Sequence, residues 1–172
     1  MGSLSVVEQP DSQANLAREY LTFRLGNEEY GIDILSVQEI RSFEAPTRIA
    51  NAQQHVLGVL NLRGLIVPII DLRVQLGLFS TASEALASVN DATEVVIANW
   101  ENKLLGMVVD GVNDVVQLTD AQTRPTPAMG MNEGAQNLVA EVATIGERNL
   151  LLTDVGALMN ARGPAMLDVA TC

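Results

Sequence analysis

The 172-residue chain is long enough for one domain, or for two small ones, with a real hydrophobic core. Apolar residues make up 48% of it and charged residues 18%, a balance that predicts a folded globular protein. Because 21 Asp and Glu outweigh 10 Lys and Arg, the net charge of −11 argues against nucleic acid and anionic membranes as partners.

Membrane insertion and secretion are also disfavoured. The apolar stretches are too short to span a bilayer, and no signal segment opens the chain. The single cysteine, Cys172, allows no internal disulfide. We therefore expect a cytoplasmic protein with no direct membrane insertion.

The predicted elements follow a polar N-terminal stretch. Residues 1–17 have no sustained period and predict a flexible tail. From Tyr20, YLTFRLGNEEYGIDI alternates around a Gly-Asn turn, which is typical of a β-hairpin. A second hairpin is predicted around Gly64, and Pro68 in its return strand favours an edge or a bulge because proline cannot donate to a sheet. The small, polar residues of 81–92 predict a linker with one helical turn at most.

The second half of the chain carries similar signals. TEVVIANWENKLLGMVVDGV predicts a further strand–turn–strand unit. Thr119 lies three residues before Gln122, which is the spacing of a capping box. Near the end, DVGALMNARGPAMLDVA predicts one or two short helices interrupted at Gly163-Pro164.

An internal repeat relates the two halves. A shift of about 75 residues places 20–40 on 95–115, and a shift of about 82 residues places 56–71 on 138–153. The matched residues include Gly31 with Gly106, Glu39 with Asp114, and Gly64 with Gly146. Each half thus holds four or five strands in the same order, and so few strands must close or pair their edges. We therefore predict an all-β fold of two similar small barrels packed together.

Catalytic signals are weak. His55 is the only histidine, so a metal site built on histidine or cysteine is disfavoured, and no nucleophile or phosphate-binding motif is present. A small hydrolase that uses His55 stays as an alternative from a different functional class. Five carboxylates could act as acid and base, but their spacing matches no such signature and turn-like contexts favour structural roles. They are Asp33, Glu39, Asp71, Asp110 and Asp114.

Arg63 is the polar residue whose setting most suggests binding. In the predicted strand GVLNLR, Asn61 and Arg63 alternate with two leucines, so Arg63 points outward if the leucines face the core. No basic neighbours or glycine-rich nest accompany it for phosphate binding, whereas arginine is enriched in protein–protein contacts. Four apolar residues near the predicted hairpins could form core or line a groove, and periodicity favours core. They are Ile34, Val37, Val109 and Val112.

Two long motifs carry a family resemblance. EEYGIDILSVQEIRSFEAPTRIANAQQHVLGVLNLRGLIVPIIDLR and GMVVDGVNDVVQLTDAQTRPTP resemble the CheW family, the coupling proteins of bacterial chemotaxis. The resemblance extends from about Glu19 to about Met159. It implies two SH3-like five-stranded β-barrel subdomains packed together, with a hydrophobic core between them and short helices at turns and at the C-terminus.

The resemblance also suggests a division of the chain. We expect a flexible tail at 1–17, a CheW-like domain at 18–159 and a C-terminal segment at 160–172. Two barrel halves, at roughly 18–80 and 93–155, would be joined by the linker at 81–92.

The function that the resemblance implies is scaffolding, with no catalytic residues and no cofactor. A CheW-like protein would link the cytoplasmic tip of methyl-accepting chemotaxis receptors to the regulatory domain of the histidine kinase CheA. Other CheW copies would join it in signalling arrays, and a cytoplasmic chain would be recruited to the membrane-associated chemoreceptor array. The alternative is a CheW-like scaffold for a different receptor–kinase pathway, one that controls surface motility or second-messenger output.

The resemblance places two binding surfaces on this chain. The receptor groove between the barrels would use Ile34, Val37, Glu39, Asn61, Arg63, Val109 and Val112. A receptor helix would lay its apolar side in this groove, with Arg63 making a charge-assisted hydrogen bond. The kinase-facing surface would include Ile40, Arg41, Ser42 and Phe43. Ser42 stands where the family commonly has glycine.

Overall fold

The described part of the chain is rich in β-strands. The computed structural model describes residues 17–50, 55–125 and 139–159. Most of the predicted tail and all of the segment 160–172 therefore lie outside the described residues. The strands are β1 (Arg18–Leu25), β2 (Glu28–Asp33), β3 (Val37–Ser42), β4 (Val56–Leu62), β5 (Leu65–Asp71), β6 (Glu94–Trp100), β7 (Lys103–Val109), β8 (Gly111–Leu118), β9 (Thr123–Pro125), β10 (Val139–Ile145) and β11 (Arg148–Thr153).

The helices are short; two of them lie between strands and the third follows β11. Helix α1 spans Leu72–Gln75, α2 spans Ala82–Ala87, and a further helix, α3, is described over 155–159. Two 3₁₀ turns span Ile34–Ser36 and Asp120–Gln122. No helix within the described residues is both long enough and apolar enough to cross a membrane.

Several local predictions are confirmed. Gln122 Oε1 accepts a hydrogen bond from Thr119 N at 2.8 Å, as the capping-box spacing predicts. Helix α2 supplies the helical turn expected in the linker, and Thr81 Oγ1 caps its start by accepting from Glu84 N at 3.2 Å. Pro68 pairs with β4 alone, because the pairing of β5 with β7 begins only at Ile69.

The strands form two sheets, which confirms the all-β class with two subdomains, but neither sheet corresponds to one half of the sequence. The six-stranded sheet has the order β8-β1-β2-β11-β10-β9, and the five-stranded sheet has the order β3-β6-β7-β5-β4. The hairpins β1–β2, β4–β5, β6–β7 and β10–β11 are antiparallel, whereas β2 with β11 and β5 with β7 are parallel. Each sheet therefore combines strands from both halves of the sequence, and strand pairing crosses the division at 18–80 and 93–155.

One pair of glycines matched in the repeat, Gly31 and Gly106, lies at these two parallel strand pairs. Gly31 is opposite Leu152, and Gly106 is opposite Ile69. A Cβ added to Gly31 would lie 3.1 Å from Leu152 Cδ2, and one added to Gly106 would overlap Ile69 Cδ1. Each glycine thus leaves room for an aliphatic side chain from the neighbouring strand, at a place where the two sequence halves meet.

The largest hydrophobic cluster lies between the sheets. It joins Phe23 and Ile32 of the six-stranded sheet to Ile70 and Met107 of the five-stranded sheet, and all four are fully buried. Two smaller clusters lie within the individual subdomains, one around Ile97 and the other around Leu118 and Leu150. The shared core fixes the two subdomains against each other, since apolar burial is the main source of folding free energy.

Candidate protein interaction site

Arg63 lies in the turn between β4 and β5, not in the strand where we predicted it. Its φ of 52° and the φ of 94° at Gly64 are those of a two-residue type I′ hairpin turn. Asn61 Oδ1 accepts a hydrogen bond from Gly64 N at 2.8 Å and stabilises the turn. The prediction that Arg63 shares a strand face with Asn61 is therefore wrong, because turn residues do not follow the strand alternation. Leu60 and Leu62 are buried, as predicted.

Glu39 on β3 holds the Arg63 side chain across the barrel end. Its Oε1 accepts from Arg63 Nη2 at 2.6 Å, and its Oε2 accepts from Arg41 Nη1 at 3.2 Å. The hydrogen bond from Arg63, and to a smaller extent the one from Arg41, lowers the pKa of the Glu39 carboxyl. The Arg63 side chain is 68% exposed, so most of its five N–H donors face solvent. The guanidinium is oriented by the protein and available to a partner.

Three apolar residues of the predicted receptor groove lie partly exposed over the inter-sheet core. They are Ile34, Val37 and Val112. Asp33 holds Ile34 in place, because its Oδ1 accepts from Leu35 N at 2.9 Å and caps the 3₁₀ turn. Leu35 in the same turn is 89% exposed, and the periodicity did not single it out. With the partly exposed Ile34 and Val37 on either side in the sequence, Leu35 adds to a run of exposed apolar residues, and contiguous apolar patches are typical of contact surfaces.

Val109 is a correction to the groove that the resemblance implied. It is fully buried in the inter-sheet cluster at the end of β7. A partner therefore cannot touch it without a rearrangement of the core, and its role is to pack beneath the groove. The periodicity had favoured this core position.

The residues of the predicted kinase surface divide between the two faces of β3. Ile40 and Ser42 point outward, and Ile40 is 40% exposed. Arg41 points to the opposite face, where it binds Glu39 and also Glu44, at 3.3 Å. Phe43, directly after the strand, packs against the core of the five-stranded sheet. Alternation along β3 thus brings Ile40 and Ser42 together and leaves Arg41 beside Arg63.

Leu65 and Ile66 were missed as surface residues. They open β5 directly after the Arg63 turn and are 59% and 40% exposed. In the sequence they belong to the apolar run LIVPII, which is typical of a buried strand. Because the β4–β5 hairpin extends beyond the core, these first two residues of the run are exposed. They form an apolar surface next to the Arg63 turn.

Arg73, which the sequence analysis did not select, is the only buried basic side chain among the described residues. Its Nε and Nη2 donate to Asp71 Oδ1 and Oδ2 at 2.9 and 2.7 Å. Its Nη1 donates to Asp110 Oδ1 at 2.8 Å and to Ser88 Oγ at 2.7 Å, and Nη2 also donates to the Ala85 carbonyl at 3.0 Å. All five of its N–H donors are thus occupied. Two of the carboxylates considered as acid and base serve this network.

Asp110 extends the network from one sheet to the other. Its Oδ2 accepts from Gly26 N in the β1–β2 turn at 2.6 Å, and its own N donates to the Arg24 carbonyl at 2.9 Å. Arg73 therefore connects the end of β5, the connector helix α2 and, through Asp110, the turn of the six-stranded sheet. This arrangement is suited to a structural role.

The second subdomain repeats the Glu39–Arg63 ion pair in altered form. Asp114, which the repeat places on Glu39, binds Arg148 beside the β10–β11 turn at 3.2 Å. Arg148 also binds Glu29, so two carboxylates neutralise it, and its side chain is 39% exposed. Arg63, with one carboxylate and greater exposure, is the better placed of the two arginines for a partner.

No catalytic or metal-binding arrangement is visible in the parts of the chain that the structure describes. Within them, no three His, Cys, Asp or Glu side chains converge to hold a metal ion. His55 lies directly before β4, where its carbonyl accepts a hydrogen bond from Asp71 N at 2.8 Å. The exposed Arg63 and the partly exposed apolar residues described above form a candidate binding surface.

A family model for the CheW-like domain matches residues 19–163. The chain belongs to the CheW-like family. It is 44% identical over 153 residues to the chemotaxis protein CheW of Klebsiella aerogenes, a match that covers 89% of this chain and 88% of that protein. It is 33% identical over 143 residues to a probable chemotaxis protein CheW of Rhizobium etli, covering 83% and 88% of the two chains.

A solved structure supports the CheW-like fold. The crystal structure of the scaffolding protein TtCheW from Thermoanaerobacter tengcongensis matches with a TM-score of 0.70 at 23% identity. The match covers 80% of this chain and 89% of that chain. The family resemblance read from the sequence is confirmed, and the chain is a member of a family of chemotaxis adaptors.

Proposed function

We propose that this CheW-like chain is a non-enzymatic adaptor that couples chemoreceptors to the histidine kinase CheA. The observation that carries the proposal is the exposed Arg63 guanidinium, held by Glu39 on β3, the strand that begins at the partly exposed Val37. Membership of a chemotaxis adaptor family supports it. The chain would act in the cytoplasm and be recruited to the chemoreceptor array.

The receptor surface consists of the groove and Arg63. A helical receptor tip would place apolar side chains on Ile34, Val37 and Val112, and Leu35 would extend this contact. Arg63 would donate its free N–H groups to a receptor carboxylate or carbonyl while Glu39 keeps the side chain oriented. Asn61 would act indirectly, since its side chain stabilises the turn that presents Arg63.

The kinase surface consists of the outward face of β3. Ile40 and Ser42 lie exposed on this edge strand and would contact the regulatory domain of CheA. Phe43 would support the strand end from within the subdomain. Arg41 would orient Glu39 rather than touch the kinase, because both of its hydrogen-bonded carboxylates lie on this chain. Further CheW copies are proposed as partners within arrays.

Calorimetric titration of the chain with a receptor-tip fragment and, separately, with the CheA regulatory domain tests the proposal. We expect both fragments to bind the wild-type chain, and Arg63→Ala to weaken receptor binding about 30-fold, as for a hot-spot arginine. Kinase binding should change less than about twofold. The matched control is Arg48→Ala, which removes the same charge from an exposed position outside both surfaces. Absence of binding to either fragment, or equal receptor affinity for wild type and Arg63→Ala, would contradict the proposal.

A further inference from the structure

A polar cavity lies at the end of the six-stranded sheet and shares no lining residue with the two proposed surfaces. Its volume is about 380 Å³, within the range of small-molecule sites. The walls come from the starts of β1 and β10, the ends of β2, β6 and β11, the first 3₁₀ turn and the start of α3. The adaptor function proposed above makes no use of it.

Thr153 gives this cavity an unexplained polar group. The residue lines the cavity and is 5% exposed, and its Oγ1 is buried with no hydrogen-bond partner. Buried hydroxyls are nearly always hydrogen-bonded, because an unmade bond costs about 1–3 kcal/mol. A ligand N–H group would supply the missing partner.

The charges that line the cavity favour a cation. The lining contains three carboxylates and one arginine. The carboxylates are Asp33, Glu141 and Asp154, and the arginine is Arg18. Asp33 and Asp154 each use Oδ1 to accept from a backbone N–H, which leaves Oδ2 for another donor. Glu141 is held only loosely, with its Oε1 3.9 Å from Arg18 Nη2. The lining therefore offers acceptors in excess of donors.

Two aromatic residues, Tyr20 and Trp100, also line the cavity, and the Tyr20 ring already makes a cation–π contact with Arg18. The Arg18 guanidinium carbon lies 5.8 Å from the centroid of the Tyr20 ring. Aromatic faces attract ammonium and guanidinium groups through the ring quadrupole. A metal ion is a poorer candidate, because the described carboxylates form no converging ligand group.

We propose that this cavity binds a small organic cation that carries a guanidinium or alkylammonium group. The cationic head would donate to Thr153 Oγ1 and Glu141 and lie against the aromatic rings. Arg18 occupies part of the same wall and competes with the ligand.

Trp100 makes the test specific, because it is the only tryptophan in the chain. Its emission is followed during titration with n-butylguanidine at constant ionic strength, and n-butylurea serves as the neutral probe of nearly the same shape. We expect a saturable change with the cation and none with the urea. N-acetylarginine amide is titrated in parallel; saturation by this probe alone would assign the cavity to an arginine side chain of another protein.

Four variants test the residues. Thr153→Val and Glu141→Gln should each weaken binding about fivefold or more, whereas Thr153→Ser should retain it. Arg18→Gln should strengthen binding, because it frees the Tyr20 face and Glu141. Glu101→Gln is the matched control, since it removes a charge next to Trp100 from an exposed turn outside the cavity.

A second readout separates ligand binding from a structural role. The melting temperature of Thr153→Val should equal or exceed that of wild type, because valine removes an unpartnered hydroxyl. Non-saturable responses, equal responses to the cation and to the urea, or wild-type affinity in both Thr153→Val and Glu141→Gln would overturn the proposal. Greater weakening by Glu101→Gln than by Glu141→Gln would also overturn it.

Discussion

Replacement of Arg73 by methionine tests the buried network most severely. The Arg73 and Asp71 side chains are 2% and 0% exposed, and without the guanidinium the Asp71 carboxylate would keep its hydrogen bond from the backbone N of residue 73, at 2.9 Å. Removal of one member of a buried ion pair costs about 3–5 kcal/mol, because the other charge stays buried without compensation. The loss is large beside a typical unfolding free energy of about 5–15 kcal/mol. We therefore expect Arg73→Met to lower the free energy of unfolding by about 3–5 kcal/mol.

Urea unfolding followed by circular dichroism measures this effect, with Arg48→Met as the surface control. Asp110→Asn should cost less, about 1–3 kcal/mol, because Asp110 is 27% exposed and water can replace part of its bonding. Asp71→Asn combined with Arg73→Met should recover part of the loss, since the uncompensated charge is gone. A loss below about 1 kcal/mol for Arg73→Met would refute the reasoning.

Three further changes test other parts of the structure. Hydrogen bonds from Arg148 lower the pKa of the Glu29 carboxyl below its ordinary value of 4.5. This interaction therefore stabilises the fold fully above pH 4.5. The stabilisation is lost as the pH falls through the lower pKa of the folded state. The stability difference between wild type and Arg148→Met, measured by urea unfolding, should shrink from neutral pH to about pH 3; a constant difference would argue against an electrostatic origin. Gly106→Ala should lower the free energy of unfolding by about 1–3 kcal/mol, because the added Cβ overlaps Ile69 Cδ1. Adding Ile69→Val to this variant should restore part of that stability. If no stability is restored, the strain does not arise from the contact with Ile69. Ile40→Asp should weaken binding of the CheA regulatory domain about tenfold or more and change receptor binding less than about twofold, whereas equal loss of both would indicate damage to the fold.

Local strand structure could be predicted because each hairpin carries its own alternation and turn residues. YLTFRLGNEEYGIDI contains both strands and the Gly-Asn turn of β1 and β2 within one short window. The repeat also predicted two related subdomains, since Gly31 and Gly106 mark equivalent close approaches. Alternation does not specify which hairpins become neighbours. The parallel pairs β2–β11 and β5–β7, which mix the two halves, therefore could not be predicted.

The candidate site was predictable in composition but not in detail. Arg63 was selected for its chemistry, yet a non-glycine residue with positive φ breaks the alternation used to orient it. Arg73 was missed because a charged residue is ordinarily assigned to the surface. Its acceptors other than Asp71, among them Asp110 and the Ala85 carbonyl, also come from later parts of the chain. Val109 and Val112 have the same apolar character, and only the packing of β7 and β8 shows that one is buried and the other partly exposed.

Sedimentation velocity of the chain mixed with a receptor-tip fragment and the CheA regulatory domain tests the coupling function most directly. Because Arg63 and the groove are separate from the outward face of β3, we predict a ternary complex in which both fragments are bound at once. Arg63→Ala should remove the receptor fragment from the complex and leave the pair with the kinase domain intact. Two mutually exclusive binary complexes, or no complex at all, would contradict the account.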